Sequence, residues 1–244
     1  VCMAKVISIG NQSFESMRER DNFYVDKTSF IKEWWENEDI VTLITRPRRF
    51  GKTLNMNMLE CFFSNKYKGR GDLFEGLYIW KEEKYRELQG TYPVISLSFA
   101  RIKERDYEKT KQKMCEVLRN IYIKFCYIKD SEKLTDADRA YYERMLEENI
   151  KETDATSSLY QLSDFLYRYY GKKVIILLDE YDTPMQEAFV DGYWDELVAF
   201  TRSLFNSTFK TNPALERGIM TGITRVSKES VFSDLNNLKI VTTT

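Results

Sequence analysis

The chain has 244 residues, 43% of them hydrophobic and 14% aromatic, so it can bury a sizeable core and is neither disordered nor fibrous. Its 37 Lys and Arg residues nearly balance 38 Asp and Glu residues, and the net charge of −1 gives no support for binding nucleic acid or an anionic membrane. Histidine is absent, which excludes Ser-His triads, histidine acid–base catalysis and histidine metal ligands within this segment.

The cysteines and the hydropathy pattern indicate a reducing compartment. Cys2, Cys61, Cys115 and Cys126 lack C-x-x-C spacing, and two of them lie in apolar helical patterns where free cysteine packs as a small hydrophobe. No stretch approaches the roughly 18 apolar residues of a membrane helix, and the N-terminus lacks a signal-peptide core. We therefore expect a cytoplasmic protein with no membrane partner.

The first predicted elements are a helix, a strand and a second helix. A polar entry at residues 22–28 leads into an amphipathic helix over 29–36, for which Thr28 or Ser29 is the expected cap. Residues 40–45 form a β-branched apolar run, which is typical of a buried parallel strand. The next helix is predicted from apolar residues that recur on one face, namely Leu54, Met58, Leu59, Phe62 and Phe63.

Between that strand and the second helix, the sequence Arg-Pro-Arg-Arg-Phe-Gly-Lys-Thr ends like a phosphate-binding loop. In such a loop, backbone N–H groups surround the phosphates, the lysine reaches the β- and γ-oxygens, and the hydroxyl binds Mg²⁺. Lys52 and Thr53 take those roles, whereas Arg46 replaces the usual first glycine, which mainly relieves backbone crowding. The candidate nucleotide-binding residues are Arg46, Pro47, Arg48, Arg49, Phe50, Gly51, Lys52, Thr53 and Leu54.

The middle of the chain combines one strand with several helices. Residues 92–99 are predicted to form a second strand. A long helix over 106–128 and a charged helix over 135–150, opened by a Thr-Asp-Ala-Asp cap, indicate an inserted helical hairpin or lid. A further helix over 157–170 is predicted to end at Gly171.

A second motif follows that helix. Residues 174–178 are consecutive aliphatic residues, typical of a parallel strand buried on both faces, and Asp179 and Glu180 come directly after them. Ligands of open α/β sheets bind outside the carboxyl ends of the strands, so Asp179 is expected at the same edge as the phosphate loop. Asp179 can then hold Mg²⁺ through water while Glu180 polarises the attacking water. The alternative is that both merely end a strand.

The last predicted elements are a helical region over 185–210, a buried strand over 217–225 and a strand-like run over 240–244. If the buried strand neighbours the one ending at Asp179, its final residues project toward the γ-phosphate. We therefore assign Thr224 as a phosphate or water sensor and Arg225 as an electrostatic candidate. The alternative for each is a surface residue that follows a strand.

With these residues in view, the chain resembles the predicted AAA-ATPase-like family of mostly bacterial proteins, which often carry a C-terminal domain similar to PD-(D/E)XK nucleases. Matching stretches occur in the same order at residues 23–28, 46–53, 177–184 and 221–238, and the resemblance covers nearly the whole chain. In that family the Arg-Pro-Arg-Arg-Phe opening is the usual form of the phosphate loop, which makes Arg46 a family trait.

The resemblance implies a P-loop NTPase fold of the α/β class. This fold is a parallel sheet flanked by helices, with an extra strand between the two nucleotide motifs as in AAA+ and signalling ATPases. The resemblance also makes Tyr24 a candidate neighbour of the adenine. We expect an N-terminal linker and helix over 1–36 and a P-loop ATPase domain over 37–244 with its helical insertion at 106–150. Both ends suggest a piece of a longer protein whose C-terminal part is missing.

Three functions follow from these residues. The leading hypothesis is a Mg²⁺-dependent ATPase in which Lys52 binds the β- and γ-phosphates, Thr53 and Asp179 hold Mg²⁺, and Glu180 orients the water. The second is a switch that binds ATP, barely hydrolyses it, and sets the conformation of a partner protein, a second copy or an absent nuclease-like domain. The third is a nucleic-acid or defence component whose chemistry lies in the absent domain.

Overall fold

A five-stranded parallel sheet carries the strands of both sequence motifs in the computed structural model, which describes residues 6–8, 10–47, 50–223 and 231–242. The chain forms two compact units. The first, here called the helical unit, comprises Val1–Asp39 and Arg48–Val94. The second, the sheet unit, comprises Ile40–Pro47 and Ile95–Thr244.

The helical unit is built from short helices around an aromatic core. Phe14, Phe62 and Phe74 have no exposed surface, and the ring of Phe74 lies 5.1 Å from that of Phe14 and 5.2 Å from that of Phe62. Each buried aromatic side chain removes roughly 150–250 Å² from water, so this cluster is a main source of stability. The helices are α1 (Phe14–Glu19), α2 (Ser29–Glu36), α3 (Lys52–Phe63) and α4 (Glu83–Leu88), with 3₁₀ turns at Asn65–Tyr67, Gly71–Phe74 and Tyr78–Lys81.

The predicted cap of α2 is only partly confirmed. Thr28 occupies the N-cap position, but its side chain makes no capping hydrogen bond. Its hydroxyl instead donates to a carboxylate oxygen of Asp26 at 2.6 Å. The competing carboxylate therefore takes the hydroxyl away from the helix end.

The sheet unit contains the strands and the longer helices. The predicted strands are confirmed, although their ends shift by one or two residues and the strand predicted over 217–225 ends at Gly222. Its elements are β1 (Val41–Thr45), β2 (Val94–Ser98, whose first residue is counted with the helical unit), α5 (Tyr107–Lys124), α6 (Asp136–Leu146), α7 (Glu152–Tyr170), β3 (Val174–Asp179), α8 (Thr183–Asp191), α9 (Trp194–Phe209), β4 (Leu215–Gly222) and β5 (Leu238–Thr242), with a 3₁₀ turn at Cys126–Ile128.

The strands are ordered β2-β3-β4-β1-β5. Because β4 pairs with both β1 and β3, it is the extra strand that the resemblance implied between the two motifs. Thr45 at the end of β1 pairs with Gly222 at the end of β4, and Leu178 on β3 pairs with Met220. This register brings the carboxyl ends of three strands to one edge, where ligands of open α/β sheets bind.

Local sequence signals account for several helix ends. Thr135 and Asp138 form a capping box at the start of α6, and α7 ends at Gly171, whose φ of +66° suits glycine. The helical region predicted over 185–210 is divided into two helices, since Gly192 with φ of +83° ends α8 before α9 begins. The helix predicted over 106–128 likewise stops at Lys124.

The core of the sheet unit includes the helices of the expected insertion. All six residues of β3 are buried, and the core around them contains Met114 of α5, Tyr142 of α6 and Phe165 of α7. Residues 106–150 therefore share the hydrophobic core of this unit, while a lid function for them stays a prediction. Among the described residues, no helix combines the length and apolar character needed to cross a membrane.

Candidate functional site

Asp179 lies at the end of β3 beside Thr221 of the neighbouring β4. The Thr221 hydroxyl donates a hydrogen bond to Oδ1 of Asp179 at 2.5 Å and accepts one from the Glu180 amide at 3.1 Å. The Asp179 carbonyl oxygen accepts a further hydrogen bond from the amide of Phe99 at 3.0 Å. Both Asp179 and Thr221 are buried, so the carboxylate is held in one orientation at the sheet edge.

Glu180 adopts a backbone conformation that is costly for its residue type. Its φ of +50° lies in the left-handed region, which costs a non-glycine residue about 1–3 kcal/mol. Two hydrogen bonds to Thr221 hold the turn. The Glu180 amide donates to the Thr221 hydroxyl, and the Tyr181 amide donates to the Thr221 carbonyl at 3.0 Å. The Thr183 hydroxyl donates to Oε2 of Glu180 at 3.0 Å. Strain that neighbouring bonds enforce in this way is typical of functional sites.

Asp182 holds the other side of the same turn. It is fully buried, and its Oδ2 accepts hydrogen bonds from the Ile223 amide at 2.8 Å and from Nε2 of Gln186 at 3.1 Å. These bonds join the turn after β3 to the backbone that follows β4. They also help to offset the cost of burying a carboxylate.

Gly222 permits this close approach of the two strand ends. A Cβ at Gly222 would lie 2.4 Å from Cε1 of Tyr181 and 3.0 Å from Cγ of Asp182, so a side chain does not fit. The Gly222 carbonyl accepts a hydrogen bond from the Arg46 amide at 3.1 Å. The first residue of the loop is therefore fixed at the edge that carries Asp179.

The structure brings only part of the predicted site into one unit. Arg46, Asp179 and Glu180 lie together at the edge of the sheet unit, and the exposed Pro47 follows in the chain. The residues that belong to the helical unit are Tyr24, Phe50, Gly51, Lys52, Thr53 and Leu54. Arg48, Arg49, Thr224 and Arg225 lie outside the described residues, and their roles stay predictions.

The start of α3 has the local features of a phosphate-binding helix. Gly51 is its N-cap with φ of +74°, a conformation that glycine adopts without strain. Lys52 is the first helical residue and is buried, while Thr53 and Leu54 are half-buried. The first N–H groups of a helix have no partner within it and carry partial positive charge, which favours an anion at this end.

Tyr24 is held by neighbours within the helical unit. Its hydroxyl donates to Sδ of Met58 at 3.1 Å, and its ring packs edge-on against Phe14 with centroids 5.3 Å apart. Burial disfavours the phenolate and raises the pKa of Tyr24 to about 12. A contact of Tyr24 with adenine stays a prediction.

Sequence reasoning missed Thr221, Asp182 and Gly222 as members of the site. The signal was present, because all three belong to stretches that carry the family resemblance. Their importance depends on strand pairing across about forty residues of sequence, which local patterns do not encode. Within the described part of the chain, no three Cys, Asp or Glu side chains cluster as a metal site made of protein groups alone.

The sequence is similar over most of its length to known proteins. A family model described as "Predicted AAA-ATPase" matches residues 8–232. A protein of Azotobacter chroococcum mcd 1, described as an uncharacterized protein in the vnfD 5′ region, is 28% identical over 236 residues. That match covers 96% of this chain but 40% of the relative, so the chain spans less than half of the relative's length. No solved structure matches the chain.

Proposed function

The chain belongs to the predicted AAA-ATPase-like family, and from this membership we propose that it binds ATP with Mg²⁺ and hydrolyses the nucleotide. One observation carries the proposal. The buried strand β3 delivers Asp179 and a strained Glu180 to the sheet edge, where Thr221 links the two and Arg46 begins the phosphate loop. Paired carboxylates at the strand edge next to a phosphate loop are the parts that phosphoryl transfer to water requires.

Phosphate binding is assigned to the loop and the first turn of α3. The N–H groups of a helix N-terminus are suited to the β- and γ-phosphates, and the Lys52 ammonium adds a full positive charge. Gly51 supports this assignment because its φ of +74° suits glycine, the residue that lets a backbone approach a ligand closely.

The oxygen donors of this chain fit Mg²⁺. Proteins usually hold this ion through one or two carboxylates together with substrate phosphates and water, so a cage of protein ligands is not required. The Thr53 hydroxyl and the Asp179 carboxylate are the groups that we assign to it. When bound, Mg²⁺ supplies charge neutralisation on the phosphates.

Activation of water is assigned to Glu180. A carboxylate accepts the proton of an attacking water or orients it, and this chain offers no histidine for the task. Thr221 acts as a positioning residue because its hydroxyl couples the Asp179 side chain to the Glu180 backbone.

One observation favours the alternative of a nucleotide-binding switch. The Thr183 hydroxyl donates to Oε2 of Glu180, so this carboxylate is engaged by its own turn. In the switch, Glu180 stays engaged until a partner protein or a second copy of the chain supplies a missing group, such as an arginine. ATP then sets a conformation and turnover by the isolated chain is negligible.

The test measures Mg²⁺-dependent ATP binding and phosphate release by the purified chain. We expect Lys52→Ala to weaken ATP binding by about 100-fold, since it removes a charge-assisted contact to phosphate. We expect Glu180→Gln to keep the affinity and lower phosphate release by about 100-fold, the usual contribution of one proton-transfer group. Glu196→Gln, at an exposed position of α9, is the matched control.

The outcomes separate the two functions. Phosphate release that stops in the Glu180→Gln variant but persists in the Glu196→Gln variant supports the ATPase. Normal release by Glu180→Gln refutes the role of Glu180, and ATP binding without release by the unaltered chain favours the switch. If the unaltered chain does not bind ATP, both are refuted.

A further inference from the structure

Residues 23–28 form one of the four segments that carry the family resemblance. They have no part in the mechanism above. We propose that Lys27 is a second phosphate-binding cation of the nucleotide site and contacts the phosphates beside Gly51. This inference rests on the proposed function, because it adds a residue to the phosphate site that the loop defines.

The turn that carries Lys27 is fixed on both sides of it. Oδ1 of Asp26 accepts hydrogen bonds from the Thr28 amide at 2.9 Å and from the Thr28 hydroxyl at 2.6 Å. Oδ2 of Asp26 accepts from the Tyr78 amide at 2.7 Å, and the Thr28 hydroxyl oxygen accepts from the Ile79 amide at 3.1 Å. Thr28 is fully buried. Asp26 and Thr28 therefore tie the turn to the 3₁₀ turn at Tyr78–Lys81.

Lys27 lies between these two anchors and is itself exposed. Its amide donates to the Tyr24 hydroxyl at 3.4 Å. Its Nζ lies 3.7 Å from the point where a Cβ on Gly51 would be. Among the described residues, no carboxylate forms an ion pair with Lys27 in the way that Glu82 pairs with Lys32.

This position is unfavourable for an ammonium group in the absence of an anion. Gly51 is the N-cap of α3, so Nζ of Lys27 lies at the positive end of the helix dipole. A phosphate at this helix end reverses the sign of the interaction, because it accepts charge-assisted hydrogen bonds from the ammonium and from the backbone. The anchored turn therefore holds the lysine at a helix end where an anion such as a phosphate is its complementary partner.

The experiment compares affinities for Mg²⁺-ATP and for inorganic tripolyphosphate, which has neither base nor ribose. Lys27→Met keeps most of the unbranched side chain and removes its charge, and Lys27→Arg keeps the charge. Lys68→Met, at an exposed position of the same unit, is the control. We expect Lys27→Met to weaken binding of both ligands by about 10- to 100-fold, the usual range for a lost charged hydrogen bond.

Lys27→Arg is expected to stay within about threefold of the unaltered chain, since a guanidinium also binds phosphate. Lys68→Met is expected to change neither affinity. Thermal unfolding of each variant without ligand verifies that it is folded, and the rise of Tm with ATP gives a second readout of affinity.

Two results overturn the inference while the proposed function stands. One is an unchanged affinity of Lys27→Met for both ligands; the other is a loss for ATP without a loss for tripolyphosphate, which assigns Lys27 to the base or ribose. A third result, no ATP binding by the unaltered chain, refutes the proposed function and the inference with it.

Discussion

The Thr221 hydroxyl joins the Asp179 carboxylate to the Glu180 amide, so one side chain of β4 orients two successive residues that follow β3. Thr221 is buried, and it acts as donor to one group and acceptor from the other. A hydroxyl satisfies both partners at once because the same oxygen can donate one hydrogen bond and accept another.

The first prediction concerns this hydroxyl. Thr221→Val keeps the shape of the side chain but leaves a buried carboxylate oxygen and an amide without their partner, which costs about 1–3 kcal/mol. We expect a lower free energy of unfolding in urea and a larger fall in phosphate release than in ATP affinity. Thr221→Ser, which keeps the hydroxyl, should retain most of the stability and most of the phosphate release. Equal stability and release in the Val and Ser variants would contradict the positioning role.

The second prediction concerns the contact between Gly222 and Tyr181. Gly222→Ala places a methyl group 2.4 Å from Cε1 of Tyr181, so the buried Tyr181 ring or the backbone must shift. We expect a loss of about 1–3 kcal/mol in the free energy of unfolding. Tyr181→Leu in the same chain makes room, so the double variant should lose less than the sum of the two single variants. Additive losses would show that the clash is not the cause.

The third prediction concerns the strain at Glu180. Glycine adopts a φ of +50° freely, whereas alanine keeps the Cβ that makes this conformation costly. Both substitutions remove the carboxylate, so the difference in stability between them reports the cost of the left-handed backbone conformation. We expect Glu180→Gly to be more stable than Glu180→Ala by about 1 kcal/mol in thermal unfolding, and neither to release phosphate. Greater stability of the alanine variant would refute a strained native turn.

The fourth prediction concerns the pH dependence of the turn that carries Lys27. Partial burial by itself raises the pKa of the Asp26 carboxyl, but hydrogen bonds from the Thr28 hydroxyl, the Thr28 amide and the Tyr78 amide outweigh it and hold this pKa below its ordinary value. A carboxyl group whose pKa is lower in the folded state than in the unfolded state stabilises the fold at pH values above its unfolded-state pKa. The contribution disappears as the pH falls from that value through the folded-state pKa.

Asp26→Asn should therefore lower the free energy of unfolding by about 1 kcal/mol near neutral pH, a value reduced by the exposure of the turn. The difference from the unaltered chain should shrink below about pH 4. Urea unfolding at a series of pH values measures it, with the exposed Asp130→Asn as the control. A difference that stays constant to low pH would mean that the charge of Asp26 does not matter.

Much of the sheet unit follows from local sequence. The aliphatic run of β3 indicates a strand buried on both faces, and Gly171 and the Thr135 capping box mark helix ends without reference to the rest of the chain. The position of β4 between β1 and β3 was accessible only through the family resemblance, because strand order depends on long-range packing.

The remaining features depend on contacts that no local pattern records. The break at Gly192 was missed because a single glycine is tolerated within a helical pattern. The role of Thr221 requires the β3–β4 register, and the approach of Lys27 to Gly51 requires the hydrogen bonds of a turn far away in sequence. The roles of Lys52, Thr53 and the residues outside the described ranges stay predictions for the binding experiments.

The two hydrogen bonds of Asp182 couple two separate stretches of backbone. They tie the Ile223 backbone, where the chain leaves β4, to the turn that carries Glu180 and to Gln186 of α8. A displacement of this turn therefore strains the hydrogen bond to the Ile223 amide, so the backbone after β3 and the backbone at the end of β4 are expected to move together.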